Sequence, residues 1–461
     1  MDRNSANQFV NGRIRTRYNP WWDGAAPRVE RVRRDLLGEA LGSLSPSRAL
    51  ALVGMRQAGK TTLMRQIVGR LLKPEDGTDG VSPRDILFIN FDEPALLPYR
   101  SDPMILDRLV DAYRAIQRPH GRPYLFLDEV QNLDHWAHWV RTALGAEEAT
   151  IVVSGSSAQL LEPELGTVLT GRTRRLTVQP FSFREFLRAR EREPTTISEG
   201  RGFIQRMREE LQHYLRFGGM PAVAAEPDDE GEVHLVQYFE DILNRDVVAR
   251  HAVRSVRTLK EVALHLLEQT ARPFSHHRLK GIHGVGVDQA RDYVQHLVEA
   301  HMLRELTRYD RRPGVAAKSP RKAYAQDVGL RNAVVAQFSD DWGWLAETVV
   351  FNALKARWAG DLFYVEEAQN VKEGRAGYAC DFLLWKGTRA AGAVQVSYTS
   401  AALQPRELAG LVATMKRFQL PEGLILTDGD SGDIETDGGT VRCRPLWRWL
   451  LDREGGEGWS V

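Results

Sequence analysis

The sequence predicts an α/β protein: a parallel sheet with helices on both faces, a helical middle region, and a further α/β domain after it. Three observations lead there. Apolar runs of strand length alternate with helix-period segments over the first 180 residues. From about Ser182 to Leu267 the periodicity turns helical, and strand-like runs return after Trp342. Alternating strands and helices give parallel sheets, because a parallel connection must be long enough to cross back over the sheet.

Composition narrows the partners. At roughly 100–200 residues per domain, 461 residues make two to four domains. The apolar fraction is 43% and the charged fraction 27%, ordinary for a globular chain. A net charge of +1 sets up no global field for nucleic acid or membrane, so such a partner must be met by a local patch. Cys380 and Cys443 are the only cysteines, which excludes a disulfide framework or a zinc cluster and fits a reducing cytoplasm. No run approaches the ~20 apolar residues of a membrane helix, and the stretch MDRNSANQFVNGRIRTRYNPWWDG lacks an apolar signal core. A cytoplasmic protein without a membrane partner is expected.

The strands expected first are Ala49–Val53, Ile86–Phe91, Tyr124–Asp128, Thr150–Ser154 and Arg174–Val178, with helices over 61–72, 103–117 and 136–144. Their apolar character throughout marks a sheet covered on both faces. Ser182, with Glu185 three residues on, predicts a capping box opening the helix FREFLRARE. In 274–325, FSHHRLKGIHG and VDQARDYVQHLVEAHML read as two helices with Val287, Ala290, Val294 and Leu297 on one face. Two strands joined by a basic Pro/Gly loop follow, and helix-turn-helix plus basic hairpin is a winged-helix pattern. The last region predicts the helix LAETVVFNALKARW, strands at LFYVEE, ACDFLLW, AGAVQVSY, GLILTD and VRCRPL, and a helix PRELAGLVATMKRF. The acidic stretch DGDSGDIETDGG (428–439) reads as a solvated turn.

Chemistry is densest after the first strand. GMRQAGKT, Gly54 to Thr61, fits G-x-x-x-x-G-K-[ST] without mismatch. Gly54, Gln57, Ala58, Gly59, Lys60, Thr61 and Thr62 form the expected cradle for ATP. Backbone N–H groups and a helix N-terminus face the phosphates, Lys60 reaches the β- and γ-phosphates, and the Thr61 hydroxyl meets Mg²⁺. The buried strand YLFLDEVQ ends in two carboxylates, costly to explain by packing. Asp128 is expected to hold Mg²⁺, and Glu129 to orient or deprotonate the attacking water. Adjacent strand residues face opposite ways, so Glu129 must use the strand's end to turn inward. IVVSGSS, Ile151–Ser157, offers Ser154 or Ser156 to the γ-phosphate or the water; a Ser helix cap is the open alternative. LTGRTRRL offers Arg172 as an arginine finger toward a neighbouring subunit, with surface salt bridges as the alternative.

One strand, Ile86–Phe91, lies between the phosphate-loop strand and the Asp-Glu strand. With a catalytic Glu after the Asp, this ordering resembles the AAA+ group of P-loop ATPases. GMRQAGKTTLM, LFLDEVQNL, IVVSGSSAQLL, TGRTRRLTVQPFSFREFL, YLRFGGMPAV, YFEDILNRDVV and PLWRWLL, in this order, look like prokaryotic AAA-type ATPases with a C-terminal domain of unknown function. The resemblance covers roughly 19–451. It implies an AAA+ core at 1–180, a helical lid region at 181–270, a winged helix at 271–335, and a restriction-endonuclease-like domain at 336–461. It also implies a ring, of six or so subunits, with ATP and Mg²⁺ as cofactors.

The outer domains bear on the partner. On 287–298 the outward residues Gln289, Arg291, Gln295 and His296 mix with Asp288 and Asp292, so this helix is not strongly basic. The loop and strands after it carry Arg304, Arg308, Arg311, Arg312, Lys318, Arg321 and Lys322. Of these, Arg308, Arg311, Arg312, Lys318, Arg321 and Lys322 are the expected DNA phosphate contacts, a packing module with a solvated loop being the alternative. Nucleases of the resembled fold hold Mg²⁺ on a helix acid, an Asp and an acidic-x-Lys strand. Glu347 and Asp381 match the first two, whereas VQVSY places Gln395 and Ser397 where the acid and lysine belong. A degenerate, non-cleaving domain is expected. The function this points to is ATP hydrolysis coupled to DNA remodelling or translocation. A nucleotide switch acting on a protein partner is the alternative.

Overall fold

The computed structural model describes residues 1–27, 32–156, 169, 171–224, 228–336, 341–368, 377–398, 403–429 and 431–452. The expected motif residues Ser157 to Leu161 and Thr170 lie outside these. The chain divides into two compact units, Met1–Gln179 and Pro180–Val461.

The first unit is built on five parallel strands: β1 Ala49–Val53, β2 Ile86–Asn90, β3 Tyr124–Asp128, β4 Thr150–Gly155 and β5 Thr173–Thr177, in the order β2-β3-β4-β1-β5. Every residue of β1 and β4 is buried, since helices cover both faces. Ala49, Ala51, Val53, Leu125, Leu127, Ile151 and Val153 share one core with Leu109, Tyr113, Val140 and Leu144 of helices Ile105–Gln117 and Trp136–Gly145. The alternate residues Leu50, Leu52, Phe126 and Val152 face Leu63, Met64 and Ile67 of helix Lys60–Leu72. Parallel pairing brings all five C-terminal strand ends to one edge of the sheet, where ligands of open α/β sheets bind. The separation of β1 from β3 differs from the expected one. β4 stands between them in space, while β2, between them only in sequence, lies beyond β3 at the sheet edge.

An edge strand presents unpaired backbone groups. Here the chain before the sheet covers them. Helix Arg3–Phe9 runs on through a wider helical segment, Val10–Tyr18, and leads into Asn19. The Asn19 side chain accepts from Phe88 N at 2.7 Å and donates to Phe88 O at 2.8 Å and Ile14 O at 3.0 Å. The Trp22 indole N–H donates to Ile86 O at 2.9 Å. Trp21 and Trp22 therefore close the sheet edge as well as packing against the core.

In the second unit the capping box forms as expected: Ser182 Oγ accepts from Glu185 N, and the Glu185 carboxylate from Ser182 N. Helix Val256–Glu268 is followed by β6 Pro273–Phe274, helices His276–His283 and Val287–Glu299, and the antiparallel pair β7 Leu303–Arg308 and β8 Arg321–Ala325. β6 pairs with β8. Beyond helix Trp342–Arg357 come β9 Asp361–Glu367, β10 Tyr378–Lys386, β11 Arg389–Ser397, helix Pro405–Phe418, β12 Glu422–Thr427, β13 Gly432–Thr436 and β14 Gly439–Pro445. One nine-stranded sheet runs β13-β14-β12-β11-β10-β9-β7-β8-β6, because β7 pairs in parallel with β9 through Thr307–Phe363 and Arg308–Tyr364. The boundary expected at 335/336 thus falls inside a continuous sheet.

Three other expectations change. The acidic stretch 428–439 is not only a turn: Gly432–Thr436 of it pairs antiparallel with β14. The basic loop between β7 and β8 holds a short helix, Pro313–Lys318, which Pro313 can start because its first turn needs no N–H. Lys322 is not a surface phosphate contact. Its side chain is 12% exposed and ion-paired with Glu347 and Asp381, so its ammonium is turned to those acids rather than to a phosphate outside.

Asn19 is fully buried, so Asn19→Ala leaves two backbone groups, Phe88 N and Phe88 O, without their partner, while Ile14 O keeps the bond from Asn19 N. This should lower the unfolding free energy of the first unit by about 1–3 kcal/mol per orphaned group at most, read as an earlier first transition in urea.

Candidate nucleotide-binding site

The loop after β1 has the backbone that its glycines predict. At Gly54, φ is +149° and a Cβ would stand 2.1 Å from Val178 O, so no larger residue fits. Gly59, φ +94°, turns the chain into the helix that begins at Lys60. Between them Gln57 holds φ +66°, a left-handed conformation costing a non-glycine residue roughly 1–2 kcal/mol. Ala58 is fully buried; its carbonyl accepts from Arg34 Nη1 at 2.6 Å, and Arg34 Nη2 donates to Gln179 O at 2.6 Å. The Lys60 ammonium is buried over the loop and donates to Gly54 O and Met55 O, both at 3.0 Å. A buried ammonium needs such partners, and these can be exchanged for phosphate oxygens. Thr62 follows in the same first turn.

β3 delivers the acid. Asp128 is fully buried and accepts from Thr61 Oγ1 at 2.8 Å, Asn90 Nδ2 at 2.8 Å, and Ser154 Oγ. Burial, then the neighbouring Glu129 charge, push its carboxyl above the usual carboxylate range, against the hydrogen bonds from Ser154 and Thr61 and the charge of Lys60. Such a carboxylate is short of positive charge. A threonine hydroxyl and a carboxylate within hydrogen-bond distance are hard oxygen donors of the kind Mg²⁺ takes while keeping several waters. Thr61 and Asp128 fit that ion.

The turn demanded of Glu129 takes place at its own φ and ψ, +52° and +43°, where β3 stops. The left-handed residue breaks the strand's alternation, and a strained backbone of this kind at a strand end is common at functional sites. Ser154 Oγ accepts from Glu129 N at 3.1 Å, so one hydroxyl fixes both acids. The Glu129 carboxylate accepts from Gln131 Nε2, which also lies 3.5 Å from Ser156 Oγ. Ser154 lies within β4, and its hydroxyl contacts both acids.

Asn90 and Gln131 were not singled out in the sequence. The signal for Asn90 was a polar residue ending an otherwise apolar strand. Gln131 sits inside the quoted YLFLDEVQ but has no motif of its own. Glu93 was also missed. It is 1% exposed and bound by Arg13 at 2.8 Å, Arg17 at 3.0 Å and the Tyr18 hydroxyl at 2.9 Å, close after the end of β2.

Arg172 is not brought to the loop of its own chain. It is exposed just before β5, and its carbonyl accepts from Ala49 N at the start of β1, the sheet end opposite the phosphate loop. Among the expected DNA contacts, Arg311, Arg312 and Lys318 are exposed. Arg312 pairs with Asp310, Arg308 stands 3.9 Å from Asp310, and Arg321 pairs with Glu305 at 2.8 Å.

Residues 46–187 match the family model described as the AAA domain, and residues 208–341 match a domain of unknown function, DUF8612. An uncharacterized protein of Methanocaldococcus jannaschii is 25% identical over 428 residues, 88% of this chain and 89% of that one. An uncharacterized protein of Haemophilus influenzae is 26% identical over 320 residues, 66% of this chain and 73% of that one. Among solved structures, Aeropyrum pernix Orc1 in complex with DNA aligns at 15% identity over 67% of this chain and 93% of that chain, TM-score 0.30. Saccharomyces cerevisiae Hsp104 with casein aligns at 13% over 60% and 50%, TM-score 0.31. The matched model and the sheet agree on an α/β fold with an AAA+ P-loop core in the first unit.

The Gln131 contact restrains Glu129. Gln131→Ala should lower single-turnover ATP hydrolysis by roughly 10–100-fold through misplacement of the carboxylate, with ATP affinity, read by a fluorescent analogue, unchanged.

Proposed function

We propose that this protein is an oligomeric AAA+ ATPase that couples ATP hydrolysis to DNA remodelling or translocation. The observation that carries the ATPase reading is the buried Asp128 carboxylate joined to Thr61 and Ser154, with Lys60 folded over the loop beside them. Lys60 would bind the β- and γ-phosphates, and Thr61 and Asp128 the Mg²⁺. The ion would neutralise charge on the phosphates and on Asp128. Glu129, aimed by its left-handed backbone and held by Gln131, would orient or deprotonate water, with Ser154 positioning it. Arg172, exposed and remote from its own loop, suits a role toward the nucleotide of a neighbouring subunit in a ring, expected to be a hexamer.

The DNA reading rests on the order helix, strand, helix, helix, hairpin over 256–325, which is that of a winged helix, with Arg311, Arg312 and Lys318 exposed between its strands. A specific observation favours the alternative, a nucleotide switch acting on a protein partner. Lys322 is largely enclosed and paired with Glu347 and Asp381, and Arg308, Arg312 and Arg321 stand beside acids. Helix Val287–Glu299 also shows Asp288 and Asp292 on its exposed side. That leaves a weaker field for phosphates than the sequence count of cations suggests.

Glu129→Gln should bind ATP as wild type does while hydrolysis falls by roughly 10²–10⁴-fold, the usual worth of a general base; unchanged turnover would refute the site. Wild-type turnover measured with single-stranded, duplex and branched DNA at low salt separates the two readings. Stimulation supports the DNA role, and DNA-insensitive turnover with a nucleotide-dependent change of oligomeric state supports the switch.

A further inference from the structure

Far from the phosphate loop in sequence, the second unit gathers a largely buried polar cluster. Glu347 comes from helix Trp342–Arg357, Asp381 from β10, Gln395 from β11, and Lys322 and Tyr324 from β8. Lys322 Nζ donates to Glu347 Oε1 at 2.8 Å and to Asp381 Oδ1 at 3.3 Å. The side chains of Lys322, Glu347 and Asp381 are 12%, 9% and 13% exposed. Tyr324 OH donates to the same Glu347 Oε1 at 2.7 Å. The other Asp381 oxygen accepts from Gln395 Nε2 at 2.7 Å and Val396 N at 3.1 Å.

Two buried carboxylates facing each other repel and are poorly solvated. Either a proton or a cation must stand between them. A divalent ion is one solution, and a lysine from elsewhere in the same sheet is another. Here the ammonium bridges one oxygen of each acid, the place an ion shared by them would take. The remaining Asp381 oxygen is already saturated by two donors. Gln395 gives no further charge, and among the described residues no group of three or more His, Cys, Asp or Glu could hold a metal. Burial raises the Glu347 carboxyl to about 7, Asp381 adding to it and Lys322 opposing.

We propose that Lys322 is a built-in counter-cation that fills the gap between Glu347 and Asp381 and keeps divalent metal out of it. The lysine is tethered, so it occupies the gap without a binding entropy cost of its own, and a metal must displace a buried ion pair to enter. The pair also ties β8 to the helix and strand that follow it, across the junction of β7 and β9. This account differs from the sequence expectation. There the lysine position of the acid-x-Lys strand was vacated by Ser397. In the structure a lysine is present, supplied by a strand far earlier in the chain.

The test is Mn²⁺ binding to the full chain without nucleotide, followed by electron paramagnetic resonance, together with the thermal midpoint with and without Mn²⁺. Wild type and Asp381→Asn should bind the same number of ions. Lys322→Ala should bind one more, lose it again in Lys322→Ala/Asp381→Asn, and be stabilised by Mn²⁺ where wild type is not. Lys322→Met, which keeps the stem and loses the charge, should behave likewise if the alanine variant does not fold. The proposal is overturned if Asp381→Asn removes an ion that wild type holds, or if a folded lysine variant gains none.

Discussion

A carboxylate with no exposure organises the first unit. Asp128 cannot stay buried beside Glu129 unless hydrogen-bond donors surround it, and each donor comes from a different element. Thr61 comes from the helix after β1, Asn90 from the end of β2, and Ser154 from β4. Those elements lie side by side only because the strands are parallel and ordered β2-β3-β4-β1-β5. The sheet order and the electrostatics of one acid are thus the same constraint seen twice. A slip of one residue in β3 would put Asp128 on the other face and leave three donors and an acid without partners.

The same economy appears at the sheet's edge. β2 carries Asn90 into the site, so its register matters, yet as an edge strand it is paired on one side only. Asn19, Trp21 and Trp22 restrain it by bonding to Phe88 and Ile86. The segment before them binds Glu93, just past the end of β2, through Arg13 and Arg17. A stretch that carries no chemical motif in the sequence therefore acts on the position of a site residue through hydrogen bonds to backbone.

In the second unit a cation is again what lets acids be buried. Lys322 does for Glu347 and Asp381 what Thr61, Asn90 and Ser154 do with neutral donors for Asp128. The difference has a chemical consequence. Neutral donors leave a site short of positive charge, which suits a metal. A lysine supplies that charge itself.

Local rules fixed much of this protein. Strand and helix positions followed from periodicity, the loop at Gly54–Thr61 from its glycines, and the cap at Ser182 from the spacing to Glu185, because each depends on residues a few positions apart. The need for Glu129 to turn at the strand's end was also legible, since alternation along a strand is local geometry. What the sequence left open were meetings across long separations. Asn90 and Gln131 beside the acids, the N-terminal arm on β2, β4 standing between β1 and β3, and Lys322 between Glu347 and Asp381 all depend on which strands pair. Charge counted along the chain made Lys322 a surface cation; only the tertiary structure, by burying it against two acids, made it an internal one.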